Sequence, residues 1–411
     1  MHWDVVIVGG GPAGAMAGMR LAGSSRVLIL DKESFPRDKP CGGGVSARIV
    51  TRFPSLQPLL SGIPVRQVHG VILHSPSGLR CAYRQASPLY LMIRRVEFDH
   101  LLLREAERRG CTVRCETAVQ VQADSSGCRV KTRHSDYNAS LVLGCDGANS
   151  VVARVTGLRR RWDDESMAID MMEETPYTRL NYRDRDVMEI FYGLEDSPGY
   201  AYVFPKTDHL NVGVGWRMDY FKRLKRGPAY SHHRSTVDSL IRSGRLEGSS
   251  DPDRFQPFVV PVGGVLRRTY ADRVLLCGDA AGFVNAFTAE GIYYAMVSGE
   301  LAAEAALQAL RNGKFAASSL RIYQKLWNKE IGPELSFSVK VHHLLLNDTG
   351  RIDRIVEAAN RDPGLLKTLV DYVTGRMAHR AFQIFLLRHG MRQSLNRYWK
   401  PAAFRERETH L

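Results

Sequence analysis

The run Asp4-Val5-Val6-Ile7-Val8-Gly9-Gly10-Gly11-Pro12-Ala13-Gly14 restricts the fold of this chain more than any other segment. It reads as a buried strand, a glycine turn and a helix start. Further on, Arg26-Val27-Leu28-Ile29-Leu30 forms a second apolar strand that ends in Asp31. Strand, G-x-G-x-x-G, helix, strand and acid together form the fingerprint of a unit that cradles a dinucleotide. Gly9 permits the tight turn, Gly11 lets backbone approach a pyrophosphate, and Gly14 lets the helix close on the strand. Pro12 and Ala13 open the helix, whose free N–H groups and positive end suit phosphate. Asp31 is the expected acceptor for a ribose, with Lys32 beside it.

The chain has 411 residues, enough for two or three domains. No window approaches the roughly eighteen uncharged apolar residues that cross a bilayer. The first strand begins at Asp4, which leaves no room for a signal peptide. A cytoplasmic protein, or one peripheral to a membrane surface, is therefore expected. Seven cysteines are present, an odd number without a C-x-x-C pair, and no histidine pair has metal spacing. Reduced thiols and no metal site follow. The net charge of +14 favours anionic partners. No basic stripe interleaves with aromatics, so a nucleic-acid partner is not expected.

Three later segments repeat the logic of the first. Arg95, Phe98 and Asp99 begin a helix predicted to run to Arg109, with Phe98, Leu101, Leu102 and Ala106 on one face. The apolar run Leu141-Val142-Leu143-Gly144 delivers Asp146-Gly147 at a turn. The run Val274-Leu275-Leu276 delivers Gly278-Asp279, followed by a long alanine-rich helix. Acids at the ends of parallel strands stand where such sheets bind ligands. Asp279 suits a ribityl hydroxyl or a water on the pyrophosphate, or else caps a turn.

These four motifs, in this order, resemble the flavoprotein superfamily of aromatic hydroxylases, flavin halogenases and geranylgeranyl reductases. The resemblance covers residues 1–310 and implies FAD as cofactor. Two strings point to the geranylgeranyl reductase branch. Lys39-Pro40-Cys41-Gly42-Gly43-Gly44 is similar to its flavin loop. Tyr200-Ala201-Tyr202-Val203-Phe204-Pro205, followed by Gly213-Val214-Gly215, resembles its Y-x-W-x-F-P and G-x-G substrate motif, with Tyr202 in place of tryptophan. A third string, Gly282 to Ile292, resembles the loop G-F-x-N-P-x-x-G-E-G-I, with Ala286 in place of proline and Ala289 in place of glycine. The resemblance thus carries cofactor contacts to Cys41, Gly42, Gly43, Arg95, Asp146, Gly278, Asp279, Ala289, Gly291 and Ile292. It carries substrate contacts to Tyr200, Tyr202, Phe204, Pro205, Gly213 and Gly215. On strand periodicity alone, Tyr200, Tyr202 and Phe204 share one face, either as an apolar ligand wall or as ordinary sheet packing.

The implied reaction is saturation of isoprenoid C=C bonds, with hydride from reduced flavin and a proton from the protein or solvent. Cys41, Tyr200 and Tyr202 are the candidate catalytic residues, Cys41 alternatively being a small packed side chain. The substrate is an isoprenoid lipid, quinone or pigment. No second dinucleotide fingerprint occurs, so the external reductant is NAD(P)H, bound transiently, or a ferredoxin. An aromatic monooxygenase or halogenase, or a non-enzymatic flavin protein docked on membranes, are the competing readings. The fold expected is α/β: a Rossmann-like FAD-binding domain (1–65, 90–160 and 265–330), an inserted antiparallel-sheet substrate domain (66–89 and 161–264) and a helical C-terminal region (331–411). In that region Leu335, Val339, His342, His343 and Leu346 share helical spacing, as do Ala381, Ile384, Phe385 and Arg388. Arg388, Arg392, Arg397 and Lys400, with Tyr398 and Trp399, form an expected membrane-facing group. Arg159-Arg160-Arg161-Trp162 reads as a solvated linker.

Overall fold

A computed structural model describes residues 2–194, 197–224, 227–348 and 350–388. Its first sheet is parallel at the centre. The strands run Thr112–Cys115, Val27–Asp31, His2–Val8, Asp136–Gly144 and Val274–Leu276, with Tyr270–Ala271 antiparallel at one edge. A hairpin, Ala118–Ala123 and Cys128–Thr132, extends from Asp136–Gly144. The central strands are buried on both faces, which is why they read as continuous apolar runs. Helices Pro12–Leu21, Arg95–Arg108 and Ile292–Asn312 pack together on this sheet. A side chain at Gly14 would put its Cβ 1.9 Å from the Gly9 carbonyl oxygen, so only glycine lets the first helix close on its strand.

The second sheet has seven strands, in the order Phe255–Pro261, Met167–Pro176, His209–Arg217, Ser197–Pro205, Val187–Leu194, Gly70–His74 and Arg80–Arg84. It departs from the expected antiparallel pattern at one place, where Val187–Leu194 pairs parallel to Gly70–His74. The two strands come from distant segments, so a tight turn does not fix their direction. Helix Ala229–Arg242 covers one face, burying Val237 and Leu240 against Val203, Leu210 and Val212. The other face carries Tyr200, Tyr202 and Phe204. A small third sheet has the order Gly44–Ser46, Tyr90–Met92 and Arg66–Val68.

Among the described residues, five helices follow residue 316, from Ala317–Glu330 to His379–Arg388. Among the described residues none is long and apolar enough to cross a membrane. Each buries a mixed face. In Gly332–Leu346 the buried positions are Leu335, Ser338, His342, Leu345 and Leu346, while His343 is exposed. In His379–Arg388 they are Phe382 and Leu386, with Ala381 and Ile384 outside. Phe382 turns inward because its ring stacks on Tyr372 at 3.9 Å. Of the expected membrane group only Arg388 lies within the described residues. The run 159–162 is a solvated linker only in part: Arg160 and Arg161 are exposed. Arg159 is buried, lies over the Trp162 ring at 4.5 Å, and both side chains donate to the Ala148 carbonyl at 3.0 Å.

Candidate active site

At the dinucleotide end, Asp31 braces the glycine turn. Its carboxylate accepts from Gly10 N–H at 2.7 Å and Glu33 N–H at 3.0 Å. Helix Pro12–Leu21 begins at Gly11 with no side-chain cap and no acid in its first turn. A Cβ added at Gly11 would meet only the tip of Arg37, at 3.5 Å. An uncapped N-terminus, open space over Gly11 and a nearby guanidinium suit a pyrophosphate. Lys32 does not join them. The Asx turn at Asp31 directs it outward, where it is exposed and pairs with Glu33. Asp146 is occupied in capping: it accepts from Ser150 Oγ, Val151 N–H and Val152 N–H. Burial nonetheless holds its carboxyl above the ordinary range, against those bonds. Asp279 faces Lys39 at 3.5 Å, and Gly291, which opens helix Ile292–Asn312, lies against it.

The loop Lys39–Gly44 lies between the two sheets and is clamped from both. Lys206 is almost fully buried; its ammonium donates to the carbonyls of Gly42 and Ile93, the latter at 2.7 Å. Burial pulls its pKa down, against the attraction of Glu174. Gly43 sits at φ +64, and a Cβ there would strike Ile93 O and Lys206 Nζ, at 2.1 and 2.4 Å. Asn211 holds the Cys41 carbonyl at 3.2 Å. Below the loop, Arg95 makes a two-pronged ion pair with Asp99 at 2.7 and 2.6 Å, and Arg37 pairs with the same carboxylate at 3.0 Å. The Cys41 thiol lies near enough to act electrostatically on the Arg95 guanidinium. Arg95 therefore acts from beneath the loop, because Asp99 commits its guanidinium.

The aromatic strand lies over this loop. Tyr202 stacks on Phe204 at 4.3 Å, with Tyr200 at 6.2 Å from Tyr202. A Cβ at Gly42 would lie 3.1 Å from Phe204 and 3.2 Å from Tyr202. The backbone register pairs Tyr202 with Gly213 and Tyr200 with Gly215. A side chain at Gly213 would overlap the Tyr202 ring at 2.1 Å, so glycine there is what makes room for the aromatic wall. Pro205 ends the strand just before Lys206. Behind Tyr202 lies Asp170, 5 % exposed, which accepts the tyrosine hydroxyl at 3.3 Å. Burial raises the Asp170 pKa to about 7.

Residues 2–325 match the family described as FAD binding domain. The chain is 30 % identical over 374 residues to digeranylgeranylglycerophospholipid reductase 1 of Methanothermobacter thermautotrophicus, covering 86 % of this chain and 90 % of that one. The chain belongs to the geranylgeranyl reductase family of FAD-dependent oxidoreductases. It is also 28 % identical to the chloroplastic geranylgeranyl diphosphate reductase of Arabidopsis thaliana, over 91 % of this chain and 81 % of that one. Its fold is similar to that of a geranylgeranyl bacteriochlorophyll reductase-like protein from Thermoplasma acidophilum, with a TM-score of 0.76 at 21 % identity, over 90 % and 99 % of the two chains.

In this reductase the loop before the long helix is held by the C-terminal helices. His342 bonds the Ala286 carbonyl at 2.8 Å, and Ser338 Oγ accepts from Ala286 N–H at 2.9 Å. Burial pushes the His342 pKa down to about 4. Glu290 accepts from Ser46 N–H at 2.8 Å, and Arg48 joins Tyr294 and Glu334 at 2.8–3.0 Å. Ala289 occupies the left-handed region at φ 55, where relatives of this branch carry glycine by the motif above. A β-branched residue there is a conformational outlier. Ala289→Val is expected to cost about 2 kcal/mol, read by urea unfolding; an unchanged midpoint refutes the strain. Reasoning from sequence missed Arg37, Lys206, Asn211 and Asp170. Lys206 follows the Phe204-Pro205 motif directly, and that adjacency was the available signal. Asp170 carries none, as it reaches Tyr202 across strands.

Proposed function

We propose that this protein reduces C=C bonds of an isoprenoid chain, with the aromatic strand as the wall that holds the chain and the glycine loop as the floor beneath the flavin. The observation that carries the reading is the close packing of Tyr202 and Phe204 on Gly42, in a chain whose relatives are named for reducing geranylgeranyl groups. Bound FAD, once reduced, supplies the hydride. Gly9, Gly11, Pro12, Ala13, Gly14 and Arg37 are suited to its pyrophosphate; Gly278, Asp279 and Gly291 to the chain toward the ring; Cys41, Gly42 and Gly43 to the ring itself.

An isolated alkene is a poor hydride acceptor, so water must be excluded and a proton placed at the far carbon. Tyr200, Tyr202 and Phe204 provide apolar area, with hydroxyl tips on two of them. Tyr202 with Asp170 is the proton source this reading assigns: a buried carboxyl that holds a proton near neutrality and a phenol that faces the loop. The Cys41 thiol, within the same loop, is the second candidate. The electron donor is NAD(P)H or a ferredoxin. The substrate head group is a lipid, quinone or pigment. Exposed Ile384 and Leu387 beside Arg380 and Arg388 support peripheral contact with an anionic bilayer, where such substrates reside.

The test is mass spectrometry of a prenyl lipid incubated anaerobically with the dithionite-reduced holoenzyme. Products heavier by pairs of hydrogens are expected. An oxygenated product formed only in air would instead establish a monooxygenase or halogenase and overturn the reading.

A further inference from the structure

Where the first sheet meets the second, a cavity of about 390 Å³ is lined by an unusual density of cations: Arg154, Arg159, Arg160, Arg161 and Lys222. One carboxylate, Asp164, lines it, and that group is already bound to Lys222 at 2.6 Å. Among the described residues, Arg154, Arg160 and Arg161 have no carboxylate within ion-pair distance. Arg159 is the informative member. It is 9 % exposed, and its Nε has no hydrogen-bond partner. Only one of its guanidinium nitrogens is satisfied, by the Ala148 carbonyl.

A buried guanidinium is costly unless its donors are met. The charge that acts on it is Asp146, whose oxygens are taken by Ser150, Val151 and Val152, while Arg154 opposes it. Burial accordingly pulls the Arg159 pKa down. The acids on the adjoining rim, Asp163, Glu165 and Asp219, are engaged elsewhere or face solvent: Asp163 caps Ser166, and Asp219 pairs with Arg217 and Arg223. The guanidinium rests on Trp162, whose ring edge approaches Gly282 in the cofactor turn. Planar forks converging on one space are suited to the oxygens of a tetrahedral anion, which they grip in pairs.

We propose that this cavity is a phosphate-binding site, formed by Arg159 at its base and Arg154, Arg160 and Arg161 at its rim. Its ligand is the phosphate monoester of a small molecule. Two sources share that chemistry, a phosphorylated head group and a phosphorylated pyridine nucleotide, and the volume admits more than a bare ion. Occupation would place the ligand against the Arg159 guanidinium and beside the Gly278–Gly282 turn.

Titration calorimetry on the holoenzyme tests this, with inorganic phosphate, glycerol 1-phosphate, NADPH and NADH as probes. Chloride at matched ionic strength is the control. Saturable binding of inorganic phosphate is expected, weakened about tenfold by Arg159→Gln, the loss of one charge-assisted contact. The double variant R160Q/R161Q alters only exposed side chains and should weaken binding comparably without altering thermal unfolding, which guards against a folding defect at Arg159. A preference for NADPH over NADH that both variants abolish assigns the site to the nucleotide. Variant-sensitive binding of glycerol 1-phosphate without that preference assigns it to a head group. Heats that chloride reproduces, or phosphate binding that neither variant changes, overturn the proposal.

Discussion

Replacing Lys206 with methionine is expected to loosen the flavin loop and lower FAD affinity by at least about tenfold, equivalent to about 1.4 kcal/mol. The side chain keeps most of its length and its packing but loses the ammonium. The carbonyls of Gly42 and Ile93 then face a buried space without a donor. Each such group costs about 1–3 kcal/mol. Removal of a desolvated charge offsets part of this, so a net loss of about 2 kcal/mol in stability follows. The folded-state pKa of Lys206 lies below its ordinary 10.5. In the window between that lowered value and 10.5, the unfolded chain holds a proton that the folded one has released. Wild-type stability therefore gains from this group as pH rises through the window, and the K206M variant lacks that gain. Urea unfolding across alkaline pH and flavin titration by fluorescence read both effects. Unchanged flavin affinity together with an unchanged alkaline slope would show that the clamp is incidental.

The reach of sequence reasoning in this protein follows from what each feature depends on. The first βαβ unit was legible because its constraints are local: a turn at Gly9, an approach at Gly14 and an acid at the next strand end all lie within one stretch of chain. The shared face of Tyr200, Tyr202 and Phe204 was legible for the same reason, since a strand fixes alternation. Local spacing could not say which atoms those rings meet. Gly213 is needed because it lies across the ladder from Tyr202, and that depends on register. Arg95 shows a different limit. Its motif was recognised, but the motif alone does not say that Asp99, one helical turn away, pairs with its guanidinium. Spacing showed that the terminal segments are helices but not which face is buried, because docking sets their mixed faces. Phe382 and Leu386, not Ala381 and Ile384, meet the body of the protein.

Asp170→Asn is expected to separate proton supply from flavin chemistry. The variant is nearly isosteric, and its amide oxygen can still accept the Tyr202 hydroxyl. What it removes is a titrating proton. In the native protein burial raises Asp170 from 3.8 to about 7. The folded state thus binds a proton that the unfolded chain has lost. The stability linked to this group is complete below 3.8 and is lost, at about 1.4 kcal/mol per pH unit, as pH rises toward 7. Glu173 and Glu290 are shifted in the same direction, so the difference between variant and wild type, not the absolute slope, reports Asp170. If Asp170 and Tyr202 supply the proton, prenyl reduction should fall by roughly a hundredfold, the lower end of general-acid contributions. A fall in the wild-type rate above about pH 7 is expected from the raised Asp170 pKa and should be absent in the variant, while photoreduction of the bound flavin, which needs no substrate proton, stays at wild-type rate. Tyr202→Phe should reproduce the loss in turnover, because the carboxyl is then cut off from the loop, and should leave the acid-side stability slope in place. A D170N enzyme with wild-type turnover and the wild-type pH profile would remove this couple from the mechanism and leave Cys41, Tyr200 and solvent as the remaining proton sources.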